Sequence, residues 1–281
     1  LRVEGDGFVR VRDNIQGSVD AATGGDTVMA LAGTYTEQVT IEKDLTLQGA
    51  GVGVTTIQAP TSGRSGLPGE TGLGIPWETD YLLAGYVADY APPEDTIDVR
   101  VDGVTLDANN QANTYGRFTG VYFRNVSGTT AGLFNSEVTG FNTSDESATG
   151  VRVLANSSLA IDNNTVKYTV NGIAAYGDLS TAADPNVTIN HNIVNLQPGA
   201  PISGDEQGII VAYGATGTVS SNTVGAASVG IYVSSSNGVT VGGPLATDGN
   251  TAGATSQAVF LNNANDAIVQ NNTISGAANG I

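Results

Sequence analysis

A small residue followed by a branched apolar one recurs along this chain as Gly120-Val121, Gly150-Val151, Gly172-Ile173, Gly208-Ile209, Gly230-Ile231 and Ala258-Val259, with Gly280-Ile281 opening a seventh copy. The intervals are 30, 22, 36, 22, 28 and 22 residues, which defines a unit of 22 with insertions. So short a unit cannot hold a helix pair. It suits one turn of a coil of short strands, each turn burying its apolar side against its neighbours.

A polar turn follows each opening. Ile161-Asp162-Asn163-Asn164-Thr165-Val166, Ile189-Asn190-His191-Asn192-Ile193-Val194, Val219-Ser220-Ser221-Asn222-Thr223-Val224 and Val269-Gln270-Asn271-Asn272-Thr273-Ile274 align, and Asp248-Gly249-Asn250-Thr251 fits beside them. Asn164, Asn192, Asn222, Asn250 and Asn272 therefore share one place in the coil, with Ser136 at the equivalent position earlier. Strands stack about 4.8 Å apart, so side chains in one column touch. An inward Asn column can form a ladder of amide hydrogen bonds, and the turn also needs residues that accept left-handed backbone angles. The column is structural. His191, the only histidine, falls beside it with Asn163, Ser221 and Asn271, which makes it a turn residue before it is a general base.

Strand alternation sorts the opening segments. Val121 and Phe123, Val151 and Val153, Ile173 and Ala175, Ile209 and Val211, Ile231 and Val233, and Val259 and Leu261 point inward. Tyr122, Arg152, Ala174, Ile210, Tyr232 and Phe260 point outward, with Arg124, Leu154 and Tyr176 two residues further on. Earlier, Asp13 is positioned to cap a short helix carrying Ile15, Val19 and Ala22, which Gly24-Gly25 stop. Such a helix would cover the open end of the coil. The expected organisation is one elongated domain over 1–281: a cap at 1–25, first turns at 26–59, a Gly/Pro-rich insertion at 60–95 and regular turns at 96–281.

The run Gly25-Asp26-Thr27-Val28, Ala32-Gly33-Thr34-Tyr35, Glu37 to Ile41, Leu45-Thr46-Leu47-Gln48-Gly49 and Thr55-Thr56-Ile57 resembles the N-terminal signature of the right-handed parallel β-helix, or pectin-lyase-like, superfamily. The Asn-Asn-Thr turns and Val241-Gly242-Gly243-Pro244 resemble the repeats of large bacterial surface proteins. The resemblance implies an all-β, right-handed parallel β-helix solenoid with a short N-terminal capping helix. One such fold hosts many functions.

Charge narrows the partners. Ten basic residues face 27 acidic ones, and Lys43 and Lys167 are the only lysines. Nucleic acid is disfavoured, because phosphate binding relies on clustered cations. Cations, calcium first, are the expected counter-charges. With no cysteine there are no disulfides or thiolate metal sites, and no apolar run is long enough to span a membrane. The acidic, Thr/Asn/Gly-rich, low-lysine composition fits a secreted or cell-surface bacterial protein. Gly280-Ile281 opens a turn and stops, so the expectation is a fragment of a longer polypeptide, or an end covered by a partner or a second copy.

Three candidate sites emerge. Asp98, Arg100 and Asp102 alternate on one strand near Asp107, and the three carboxylates are a candidate calcium site. Superfamily members that cleave acidic polysaccharides use carboxylate-bound calcium beside a proton-accepting Arg or Lys. The resemblance thus makes Arg100, Arg124 and Arg152, with Asp98 and Asp102, the residues for lyase chemistry. A solvated, salt-bridged strand is the simpler reading of them. Third, Tyr122, Tyr176, Tyr232 and Phe260, interleaved with Arg124 and Arg152 and flanked by Trp77 and Tyr81, form an outward aromatic strip for a glycan or another protein. An insertion folding over that strip as a secondary core is an equal alternative. Enzyme signatures of the superfamily (Asp-Phe-Ile-Phe-Gly, Asn-Thr-Asp with Gly-His-Gly, Tyr-Gly-Phe-Asp-Pro-His) are not found. The leading expectation is an exported structural or adhesive β-helix; the rivals are a polysaccharide lyase and a phage-type receptor-binding fibre.

Overall fold

The computed structural model describes residues 2–4, 8–11, 14–67, 79–87, 95–111, 117–142, 148–177, 183–196 and 206–281. The chain winds as a three-faced coil of parallel strands. On the first face Thr27–Ala30, Leu45–Gln48, Val99–Asp102, Ser127–Phe134, Ser158–Asp162, Asn186–Asn190, Thr216–Ser220, Thr240–Gly242 and Ile268–Gln270 pair in succession. The second face runs from Gly33–Thr36 through Thr55–Gln58, Thr105–Asp107, Glu137–Thr139, Thr165–Lys167 and Ile193–Asn195. The third runs from Val39–Ile41 through Thr79–Tyr86, Arg117–Arg124, Thr149–Leu154, Asn171–Tyr176 and Gln207–Ala212. Near the top the long strands Thr223–Ser234 and Thr251–Asn262 bend to serve the second and third faces together.

The inward rows are those alternation dictates. Val121, Val151, Ile173, Ile209, Ile231 and Val259 stack in register and are fully buried. Each such side chain contributes about 1.5–3 kcal/mol by leaving water.

The glycine before each of them answers to packing. A Cβ on Gly172 would lie 2.4 Å from the Gly208 carbonyl oxygen one turn on, and 2.4 Å from Val194 Cγ1 on the second face. Gly120 meets Val138, Gly150 meets Val166 and Gly208 meets Val224 in the same way. The glycine column and the valine column thus fill one space between them. Where Gly230 comes closest to the second face, the partner is the smaller Ala252.

The asparagine file is continuous. The Asn164, Asn192, Asn222 and Asn250 backbone N–H groups donate to Oδ1 of the next Asn along, at 3.0, 2.9, 3.0 and 3.0 Å. Their Nδ2 groups donate to the same oxygens at 2.8–3.0 Å. Nδ2 of the same four also reaches back to the carbonyls of Leu133, Ile161, Ile189 and Val219. Ser136 extends the file downward, taking Asn164 Oδ1 on its N–H and offering Oγ to the Val104 N–H. One side chain per turn satisfies backbone groups that strand pairing cannot reach at a corner. The residue before Ser136, Asn164, Asn192, Asn222 and Asn272 is left-handed (Asn135, Asn163, His191, Ser221 and Asn271, with φ between 47° and 58°), whereas Gly249, before Asn250, is extended at φ −68°.

Two expectations at the N-terminal end need correction. The helix is Ile15–Ala21, and its N-cap is Asn14, whose side chain accepts from the Gly17 N–H; Asp13 lies outside the described residues. Both residue types cap well, so only geometry decides. Glu37 accepts the Ile15 and Gln16 N–H groups at 2.8 and 2.9 Å, and Lys43 Nζ donates to the Val19, Asp20 and Ala22 carbonyls at the other end. Charges of the sign the helix dipole favours thus hold both ends. The 1–25 segment also contains strands: Phe8–Val11 joins the first face in parallel, with Arg2–Glu4 antiparallel to it.

The interval 60–95 is likewise more than an insertion. Within it Thr79–Tyr86 is a full strand of the third face, between Val39–Ile41 and Arg117–Arg124. Leu82 and Leu83 fill the core although no small–branched opening announces them.

Gly172→Ala should lower unfolding stability by about 1–3 kcal/mol through overpacking. Gly24→Ala, with nothing within 4 Å of the added Cβ, should stay near wild type. Denaturant midpoints of the two variants check the contrast.

Candidate functional site

Outward residues of the third face form two rows in strict register. One is Tyr122, Arg152, Ala174, Ile210, Tyr232 and Phe260; the other is Arg124, Leu154, Tyr176, Ala212, Ser234 and Asn262. The rows are those read from the sequence, but their exposure is not. Tyr122, Arg152 and Arg124 are only 1, 2 and 3% exposed. A second apolar cluster outside the coil accounts for this: Leu67, Tyr81, Ala84, Tyr122, Leu154 and Ala155 pack together, with Tyr86 and Tyr176 against them. Leu67 arrives on the short strand Gly66–Leu67, antiparallel to the start of Thr79–Tyr86. Beside it Arg64 pairs with the buried Asp80 at 3.1 Å and lies over the Phe118 ring.

The lower half of the aromatic strip is therefore a secondary core. Tyr81 belongs to it as well: its hydroxyl is 2.7 Å from Thr40 Oγ1 and its carbonyl accepts from Gln38. Trp77 lies outside the described residues. The Arg152 guanidinium sits 5.5 Å from the centre of the Tyr176 ring, so that residue too stabilises packing.

The upper half is more open. Tyr232 and Phe260, half-buried, lie nearly parallel with centroids 5.3 Å apart, and Tyr176 pairs with Tyr213 at 6.0 Å. Asn262 Nδ2 approaches the Tyr232 hydroxyl at 3.4 Å, placing a polar group beside the rings. Tyr213 is a residue that the sequence reading passed over, because it lies in a corner and not on a strand.

The acid–base candidates are dispersed. Asp98, Arg100 and Asp102 share the outer side of the first face, whereas Arg124 and Arg152 belong to the third. Arg100 Nη2 pairs with Asp102 at 2.5 Å and its guanidinium covers the Phe134 ring at 3.8 Å. The simpler salt-bridge reading describes this strand.

The calcium candidates do not converge either. Asp98 accepts from Thr130, Asp102 from Asn135 and Arg100, and Asp107, on the second face, from Asn109 and Gln58. Among the described residues no three acidic or histidine side chains gather as a metal-holding group. His191 stands in its turn with Nδ1 3.0 Å from Asp162 Oδ1, outside the asparagine file.

The fold is a family trait. The family model described as the right-handed β-helix region matches residues 119–281, more than half of the chain, and the chain belongs to that family. Its coil is thereby right-handed. No curated protein sequence matches significantly. Among solved structures the chain is similar to a family 6 alginate lyase at 14% identity and TM-score 0.49, covering all of this chain and 40% of that one. It is similar also to a Geobacillus virus E2 protein (15%, TM-score 0.36, 95% of this chain and 58% of that one). A third is the rice weevil pectin methyl esterase (13%, TM-score 0.41, 94% and 87%). The chain thus spans less than two thirds of the first two. Among the described residues no helix is long and apolar enough to cross a membrane.

Burial raises the Tyr176 phenol above its usual pKa of 10.0, against the pull of Arg152 and Arg117; burial also raises Tyr81, against its hydrogen bond from Thr40. In both cases the folded state holds the proton longer than the unfolded chain does. Their contribution is intact below pH 10.0 and is lost as pH rises from there through the folded pKa. The melting temperature should therefore fall from about pH 10 upward, and less steeply in Tyr176→Phe. Thermal melts across that range test it.

Proposed function

We propose that this is an exported, non-catalytic β-helix that presents the upper third face to glycan at a bacterial cell surface. The single observation that carries the reading is the half-open Tyr232–Phe260 ring pair at the top of a strip whose arginines are buried. Flat aromatic groups on a rigid strand face offer contact area at low entropic cost, as carbohydrate recognition requires. Lyase chemistry would need a base and a charge-neutralising group in one open groove. Arg124 and Arg152 are enclosed in packing, and Arg100 is engaged on another face. The low-lysine, acidic surface supports an extracellular setting.

In affinity electrophoresis against soluble polysaccharides, the wild-type chain should be retarded. Tyr232→Ala combined with Phe260→Ala should weaken binding about tenfold or more, the scale of losing about 1.4 kcal/mol of contact. Incubation with alginate or polygalacturonate should give no rise in unsaturated-uronate absorbance. A rise abolished by Arg152→Ala would replace this reading with a lyase.

A further inference from the structure

The corner joining the third face to the first turns through a left-handed residue at Asn125, Ala155, Tyr213, Ser235 and Asn263, with φ between 49° and 58°, though not at Gly177. Asn and small residues are at home there; a bulky aromatic is an outlier. Nothing in the corner asks for tyrosine. The Tyr213 N–H donates to the Ser234 carbonyl at 2.9 Å and the Gly214 N–H to the Ser235 carbonyl at 2.8 Å, bonds that any residue would make. The core does not ask for it either, since Tyr213 is 47% exposed.

What holds it is tight. A Cβ on Gly177 would lie 2.0 Å from the Tyr213 carbonyl oxygen, so the two backbones are in direct contact. The ring lies against Tyr176 at 6.0 Å and 29°, and the rest of it faces solvent beside the aromatic strip. Tyr168 shares the φ of 58° and a similar exposure at another corner, so what distinguishes Tyr213 is its ring, set against Tyr176 beside the aromatic strip and open to a contact outside the chain.

Charge selects the contact. The third-face strands Asn171–Tyr176 and Gln207–Ala212 carry no Lys or Arg, and neither do Thr223–Ser234 and Thr251–Asn262. Lys167 is on the second face, paired with Glu137 at 2.6 Å. With 27 acidic residues against 10 basic, the surface repels polyanions. An uncharged sugar ring, apolar on its C–H face and hydroxylated at its edge, meets no such penalty.

We infer that Tyr213 is a binding platform for a neutral glycan, stacking one sugar ring at the edge of the Tyr176–Tyr232–Phe260 strip. The inference rests on the glycan-binding reading above and names both its ligand class and a further residue.

The test titrates the full chain by calorimetry with three neutral polysaccharides (a β-1,3-glucan, a mannan and a galactan) and two acidic ones (alginate and polygalacturonate). Wild type, Tyr213→Asn and the Tyr232→Ala/Phe260→Ala double variant are compared, each with a thermal melt. Tyr213→Asn should lose affinity for a neutral polysaccharide about tenfold or more while its melting temperature stays equal or rises, because Asn relieves the left-handed backbone. Lost affinity with a lowered melting temperature would mark a structural role and overturn the inference. So would unchanged affinity, and if the double variant still weakened binding, the broader reading would stand. Preference for the acidic polysaccharides would overturn the ligand class. A wild-type chain that binds none of the five would remove both readings together.

Discussion

The structure depends on like residues standing over like. Parallel strands wound in a coil satisfy their own backbones along each face, but at every corner the chain must turn where no strand pairing is available. The Asn164–Asn272 file meets that need with one side chain type, each amide accepting from the turn below and donating to its carbonyls and to the next amide. Because Asn164, Asn192, Asn222 and Asn250 are buried, they cannot trade these bonds for water. Register is therefore fixed at the corner, and the aliphatic rows and glycine column follow from it. The Gly172–Val194 and Gly208–Val224 pairs show the coupling: a side chain gained on one face must be lost on another.

A scaffold so regular leaves function to the places where regularity breaks. On the third face the outward rows are aromatic and basic at the bottom, aromatic and uncharged at the top. The bottom is closed by Leu67, Tyr81 and Tyr86, which convert Tyr122, Arg152 and Leu154 into a second core. The top keeps Tyr232, Phe260 and Tyr213 accessible. Arg124 and Arg152 are held in that packing, the Arg152 guanidinium beside the Tyr176 ring.

The inward rows, the asparagine file and the left-handed neighbours were legible in the sequence because each repeats, and repetition turns a weak local preference into a column. What does not repeat was hidden. Thr79–Tyr86 lacks the small–branched opening, so its place between Val39–Ile41 and Arg117–Arg124 had no signal. Alternation told which side of the sheet Tyr122 and Arg152 occupy, but not what lies above that side. Outward is also not one direction in a three-faced coil, and this separates Arg100 from Arg124 and Arg152. The Glu37 and Lys43 clamps act across more than twenty residues, beyond any local pattern. Tyr213 carried a trace: it aligns with Asn and Ser at a corner, where an aromatic is out of character.

The most direct measurement is the unfolding free energy of Asn222→Ala set against that of Ser221→Ala, its left-handed neighbour in the same turn. Asn222→Ala strips Asn192 of its acceptor and leaves the Ile189 carbonyl without its side-chain donor. Each orphaned buried group costs about 1–3 kcal/mol, so the loss should reach about 3 kcal/mol. Ser221→Ala should cost well under half of that. Equal, small losses at both positions would contradict the claim that the buried file sets the register of the coil.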